Sequence, residues 1–105
     1  MKIDKDTVVF ITGGAQGLGL ATAQYLVDLH EAKIFIIDLD ENKLWDATRR
    51  LGGCVQILGT DKPRARVQYK VCDVSIPEQV EAAINHCVTV YGKIDAVISL
   101  SLIHI

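Results

Sequence analysis

A chain of 105 residues, half of them hydrophobic and 23% charged, has the make-up of one small globular domain with a modest core and excludes a disordered or fibrous segment. Its formal charge of −2 gives no electrostatic basis for nucleic acid or an anionic membrane as a partner, and no apolar run approaches the length of a membrane span. The opening residues, Met1-Lys2-Ile3-Asp4-Lys5-Asp6, are polar and carry acids, unlike a secretory signal or an arginine-rich transit peptide.

In chain order, apolar runs alternate with amphipathic ones. A first strand is expected over about Thr7 to Ile11. The glycine-rich Thr12-Gly13-Gly14-Ala15-Gln16-Gly17-Leu18-Gly19 follows it, opening a helix from about Gly17 to Leu29. Spacing places Leu18, Ala21, Tyr25 or Leu26, and Leu29 on one face of that helix. Ile34-Phe35-Ile36-Ile37 is a continuous apolar run, as expected of a strand covered on both faces, and Asp38 ends it. Asp40 is the expected N-cap of a second helix over about Glu41 to Leu51, stopped by Gly52-Gly53. Cys54 to Ala65 reads as a loop, around a short Val55-Gln56-Ile57-Leu58 segment.

A third strand is expected over about Val67 to Cys72. Ser75-Ile76-Pro77-Glu78 then reads as a capping box with proline in the first turn. The helix it opens carries Val80, Ala83, Ile84, Cys87, Val88 and Tyr91 at helical spacing, and Gly92 is its expected stop. A fourth strand begins at Asp95-Ala96-Val97-Ile98. This β-α-β-α-β-α-β order is an α/β fold class, the N-terminal half of a doubly wound Rossmann fold. Right-handed crossovers give its parallel sheet the order 3-2-1-4.

A strand feeding a glycine loop feeding a helix is a device for gripping a pyrophosphate. Glycines at Gly13, Gly17 and Gly19 let the backbone turn tightly and approach the phosphates, while the helix N-terminus supplies unpaired N–H groups and partial positive charge. Asp38, about 20 residues past the loop, can accept hydrogen bonds from both hydroxyls of an adenosine ribose and repels a 2′-phosphate. Neither arginine nor lysine occupies Gly14 to Gly17 or Leu39 to Glu41, so the expected cofactor is NAD rather than NADP.

The T-G-x-x-x-G-x-G spacing resembles the nucleotide loop of the short-chain dehydrogenase/reductase family, and Cys72-Asp73-Val74 and Tyr91-Gly92-Lys93-Ile94-Asp95 resemble the family at matching points. The resemblance spans about Thr7 to Ile98. It implies cofactor contacts at Thr12, Gly13, Gln16, Gly17, Leu18, Gly19, Asp38, Leu39, Asp73 and Val74, with Asp73 on the adenine amino group and Val74 against the ring. It also implies an oxidoreductase whose full-length parent is a homo-oligomer moving hydride between NAD(H) and a secondary alcohol or ketone. Ile11 to Ala15 with Gly17 to Ala23 looks most like the NAD-dependent type 2 3-hydroxyacyl-CoA dehydrogenases. Tyr91 and Asp95 are expected to serve packing and turn formation, not catalysis.

The chain also departs from the family. Ser99-Leu100-Ser101-Leu102 stands where the family has Asn-Asn-Ala-Gly. The family's catalytic tyrosine precedes a lysine by four residues, but here Tyr25 is followed at that spacing by Leu29, Tyr69 by Asp73 and Tyr91 by Asp95. No catalytic residue carries over, and the expectation is a truncated fragment, inactive alone. Leu100 to Ile105 resembles the translation of a transposon-end sequencing adapter. That makes residues 1–99 a partial NAD-binding Rossmann domain and residues 100–105 a non-native tail, in which His104 has no chemical role. The competing reading is a non-catalytic nucleotide-sensing or interaction module.

Cys54, Cys72 and Cys87 form no C-x-x-C pair, which suits reduced thiols in an intracellular, cytoplasmic protein, with a mitochondrial one left open. Cys72 and Cys87 are expected in the core, and no metal site is expected. His30 and His86 read as surface or boundary residues.

Overall fold

The computed structural model describes residues 2–51 and 67–99. The expected stop at Gly52-Gly53, Cys54, the Val55 to Leu58 segment and the tail from Leu100 lie outside them. Four strands alternate with three helices: β1 (Val8–Thr12), α1 (Gly17–His30), β2 (Lys33–Asp38), α2 (Glu41–Arg50), β3 (Val67–Val71), α3 (Pro77–Tyr91) and β4 (Ala96–Ser99). The strands form one parallel sheet in the order β3-β2-β1-β4, as the alternation and crossover rule require. Val9 lies opposite Ile34 and Ala96, and Ile34 opposite Val67, so the register runs straight across the sheet.

The two central strands are apolar on both faces because both faces are covered. Val9, Ile11, Ile34 and Ile36 pack with Ala23 and Leu26 of α1 and Leu44 and Ala47 of α2. Val8, Phe10, Phe35 and Ile37 point the other way, onto Ala83, Cys87 and Tyr91 of α3. Phe10 and Phe35 stack with ring centroids 5.6 Å apart. Burying each such side chain contributes about 1.5–3 kcal/mol, which makes these two strands the main source of stability.

The face that α1 buries differs from the expected one. Gly19, Ala23 and Leu26 face the core, with Leu20 and Val27 packed partly against it. Leu18, Tyr25 and Leu29 are exposed by 67%, 56% and 64%. The helix is apolar nearly all round, so periodicity does not select a face. Contact with the loop does: a Cβ on Gly19 would collide with the carbonyl oxygen of Gly13 and stand 2.9 Å from its carbon. The small-residue side must therefore turn inward, and it carries Ala23 and Leu26 with it.

Asp40 caps α2 as expected, its carboxylate accepting from Asn42 N at 3.0 Å and Lys43 N at 3.2 Å. The expected capping box at α3 does not form. Ile76 occupies the N-cap position without a side-chain bond, and Pro77 opens the helix. The Ser75 hydroxyl instead donates to Asp73 Oδ1 at 2.6 Å. Ser75 stands one residue before the N-cap, out of the capping position, and its hydroxyl donates to an ionised acceptor, which makes a strong bond. Helix α3 buries Ala83, Cys87 and Tyr91, while Ile84 and Val88 are 37% and 42% exposed, so its covered stripe is narrower than spacing suggests.

Gly92 ends α3 at φ 87°, a left-handed conformation that only glycine adopts at no steric cost. The buried Tyr91 donates its hydroxyl to Ile34 O at 3.3 Å, a packing role. Asp95 closes the sheet at its lower edge. Its N–H donates to Val8 O at 2.9 Å, and its Oδ2 accepts from Val8 N at 2.8 Å.

Two outcomes follow. Gly19→Ala is expected to lower unfolding free energy by about 1–3 kcal/mol, because a methyl forced against backbone is overpacking that cannot relax by a rotamer change. Denaturant titration measures it, and wild-type stability would contradict the contact. The second outcome concerns pH. The Val8 N–H and then the Lys93 ammonium hold the Asp95 carboxyl below its ordinary value. A group with a lowered folded-state pKa stabilises above its unfolded value and loses that contribution as pH falls through the folded one. Asp95→Asn is therefore expected to be less stable than wild type at pH 7, with the gap closing below about pH 4. Thermal melts across that range test it.

Candidate functional site

Thr12, Asp38 and Asp73 come together at one rim of the sheet, the carboxyl ends of β1, β2 and β3. Helices α1 and α2 cover one face and α3 the other, so the chain changes sides between β1 and β4. In open α/β sheets, ligands bind in the crevice outside such a switch point. Thr12 Oγ1 donates to Ser99 Oγ at 3.3 Å across it.

The loop leaving β1 is built to bring backbone, not side chains, to that crevice. Gly13 has φ 72° and Gly17 φ 60°, both left-handed. Gly13 N donates to Ile37 O at 2.8 Å, which pins the start of the loop to β2. A Cβ on Gly14 would lie 2.6 Å from Ile36 Cγ2, so the loop sits directly on the core. At Gly17 the reverse holds, since an added Cβ meets nothing within 4 Å. Gln16 precedes α1 without a side-chain cap, and no acid lies in the first turn. The positive end of α1 thus carries no side-chain cap and no acid, an end that an anionic diphosphate could cap.

Asp38 ends β2 beside this loop. Its Oδ1 accepts from Leu39 N at 2.7 Å and its Oδ2 from Ala15 N at 3.3 Å. Leu39 is 65% exposed, free to lie along a ligand. Cys72 N donates to Asp38 O at 2.9 Å, carrying the rim on to Asp73 and Val74. Asp73 Oδ1 accepts from the Ser75 hydroxyl and, at 2.9 Å, from Ser75 N, and these bonds, the hydroxyl's first, hold its carboxyl below the usual range. Its own N–H donates to Gln79 Oε1 at 2.8 Å. Val74 packs partly against the α3 side of the core.

A cleft of about 420 Å³ separates the loop at Ala15, Gln16 and Gly17 from α2 at Asn42, Lys43 and Arg50. Arg50 is paired with Asp46 at 2.9 Å. These α2 residues, and Gln79, are site neighbours that linear windows around the glycines and Asp38 miss. Helical spacing of Lys43 and Arg50 on one side of α2 is the signal that brings them in. A larger hollow of about 540 Å³ lies at the opposite end of the sheet, between residues near Asp4 and Asp28. It has neither glycine turn nor helix N-terminus and is not the candidate site.

Of the residues outside the rim, Cys72 and Cys87 are both fully buried. Burial pushes the Cys87 thiol up to about 11 and raises that of Cys72, so both are protonated packing groups. His86 lies over Phe35 at 5.5 Å and His30 against Tyr25 at 5.6 Å, boundary positions away from the rim.

The family model for short chain dehydrogenases matches residues 7–100. The chain is 36% identical over 93 residues to short-chain dehydrogenase reductase 5 of Arabidopsis thaliana, covering 88% of this chain and 31% of that one. Its fold superposes on levodione reductase with a TM-score of 0.74 at 35% identity, covering 91% of this chain and 34% of that one. On a Burkholderia phymatum short-chain dehydrogenase/reductase in complex with NAD, the TM-score is 0.76 at 28% identity, with 92% and 31% covered. The chain thus spans about a third of the length of the relatives it matches. Glycine turn, uncapped helix, strand-end acid and sheet order agree with a family match over nearly every residue, and the chain belongs to the short-chain dehydrogenase family.

Proposed function

We propose that this chain is the NAD(H)-holding part of an oxidoreductase that moves hydride between the nicotinamide and a secondary alcohol or ketone. The observation that carries the reading is Asp38, a carboxylate at the end of β2 bonded to the glycine loop beside the uncapped start of α1. In this reading Thr12, Gly13, Gln16, Gly17, Leu18 and Gly19 surround the pyrophosphate. Asp38 and Leu39 hold the adenosine ribose, and Asp73 and Val74 the adenine. The cofactor supplies the hydride chemistry; the residues here bind and orient it.

Asp38 favours NAD over NADP because a 2′-phosphate would meet its charge. Lys43 is a cation on the cleft wall, but it reaches there from α2 on a flexible stem, whereas Asp38 already lies within hydrogen-bond reach of the loop. The likeness of the loop and first helix to type 2 3-hydroxyacyl-CoA dehydrogenases makes a hydroxyacyl thioester one candidate substrate. No tyrosine in the sequence precedes a lysine by four residues, so hydride transfer would rest on residues of a longer protein. The second reading is a nucleotide-binding module without catalysis. An open reading frame beyond the Ser99 codon that encodes Tyr-x-x-x-Lys selects the first, and a stop codon the second.

Calorimetry with this chain tests the cofactor reading. NAD is expected to bind at least about tenfold more tightly than NADP, the ratio given by a ~1.4 kcal/mol penalty. Equal affinity would refute the assignment of Asp38 to the ribose. Gly17→Val is expected to remove NAD binding while far-UV circular dichroism stays unchanged. A branched side chain strains φ 60° and fills the open space above the loop. Retained affinity would mean that the loop is only a turn.

A further inference from the structure

We infer that Asp38 positions the phosphate loop, a task separate from holding a ribose. The inference rests on the cofactor reading for its ligand but not for its geometry. The loop is tied at its start by Gly13 N to Ile37 O and at its end by Leu20 N to Gln16 O, at 2.8 and 3.3 Å. Between these ties, among the described residues, a single side chain bonds a loop N–H: Asp38, through Oδ2 to Ala15 N at 3.3 Å.

The carboxylate is itself aimed. Oδ1 is held by Leu39 N at 2.7 Å, and the Asp38 carbonyl accepts from Cys72 N at 2.9 Å, so the backbone that carries it is fixed to β3. Ala15 is 5% exposed. Its N–H has little access to water, and a buried donor without an acceptor is costly. A carboxylate offers about four acceptor directions, of which two are used here. The remaining two are enough for a pair of ribose hydroxyls, so both tasks can run at once.

The two tasks predict opposite signs for a diphosphate ligand without ribose hydroxyls. If Asp38 only holds the ribose, removing its negative charge leaves such a ligand unaffected or binds it more tightly. If Asp38 also positions the loop, removing it weakens binding, because the N–H groups no longer converge on the phosphates.

The experiment uses the full chain with Asp38→Ala, Asp38→Ser and Asp38→Asn. The probes are ADP and 2′,3′-dideoxyadenosine 5′-diphosphate, together with hydrogen exchange at the Ala15 amide. Expected are about three- to tenfold weaker dideoxy-ADP binding and similarly faster Ala15 exchange in the alanine variant, with only partial rescue by asparagine, whose single carbonyl oxygen can serve the Ala15 or the Leu39 N–H but not both. Unchanged exchange at Phe10 and Phe35 shows that the sheet is intact, and the serine variant, too short to reach Ala15, stands in if alanine does not fold. Dideoxy-ADP binding that is unchanged or tighter in the truncated variants overturns the inference. If the wild-type chain binds no ADP, the cofactor reading fails instead, and Ala15 exchange alone decides: unaltered exchange in Asp38→Ala overturns the positioning role, and faster exchange upholds it.

Discussion

The structure depends on one close approach of backbone to backbone. The first turn of α1 rests on the carbonyl of Gly13, and it does so because Gly19 has no side chain to hold it off. From that contact α1 acquires its direction over the sheet and the face it buries. The loop acquires its height above Ile36, through Gly14. The open N-terminus of α1 is then presented at the sheet rim and not into a neighbouring side chain.

The sheet turns this local contact into a site. Because β1 and β2 are apolar on both faces, helices must cover both, and right-handed crossovers send α1 and α2 to one side and α3 to the other. The crevice between β1 and β4 exists only because the crossover direction reverses there. The rim residues follow in sequence, each at a strand end, and hydrogen bonds from Gly13 to Ile37, from Ala15 to Asp38 and from Cys72 to Asp38 join the three strand ends into one edge. The Asp38 and Asp73 carboxylates on this rim accept from backbone N–H groups beside them, which fixes their direction.

The strands, the helices, the sheet order and the rim acids were legible from the residues, for physical reasons that differ. Ile34 to Ile37 can only be a strand covered on both sides. Asp40 and Gly92 are end signals whose mechanism is local, and both act as expected. Ser75 fits a capping box by spacing, but the N-cap falls one residue later, at Ile76, and the Ser75 hydroxyl turns back to Asp73. The buried face of α1 was illegible because hydrophobic spacing reports which residues are apolar, not which of two apolar sides must pass a carbonyl. Lys43 and Arg50 enter the site's surroundings through helical phase on α2 and Gln79 through chain reversal, which windows centred on the glycines and Asp38 do not cover.

By itself the sequence determined the alternation of elements, the glycines at left-handed positions and the acid at the end of the second strand, since each rests on interactions within a few residues or on a simple period. Tertiary structure decided which side of α1 is buried, how far α3 is covered, and that the Asp38 carboxylate reaches the Ala15 N–H. Those outcomes depend on distances between segments far apart in the chain. Such distances are set by the smallest side chains at each crossing, where one missing Cβ moves a whole helix.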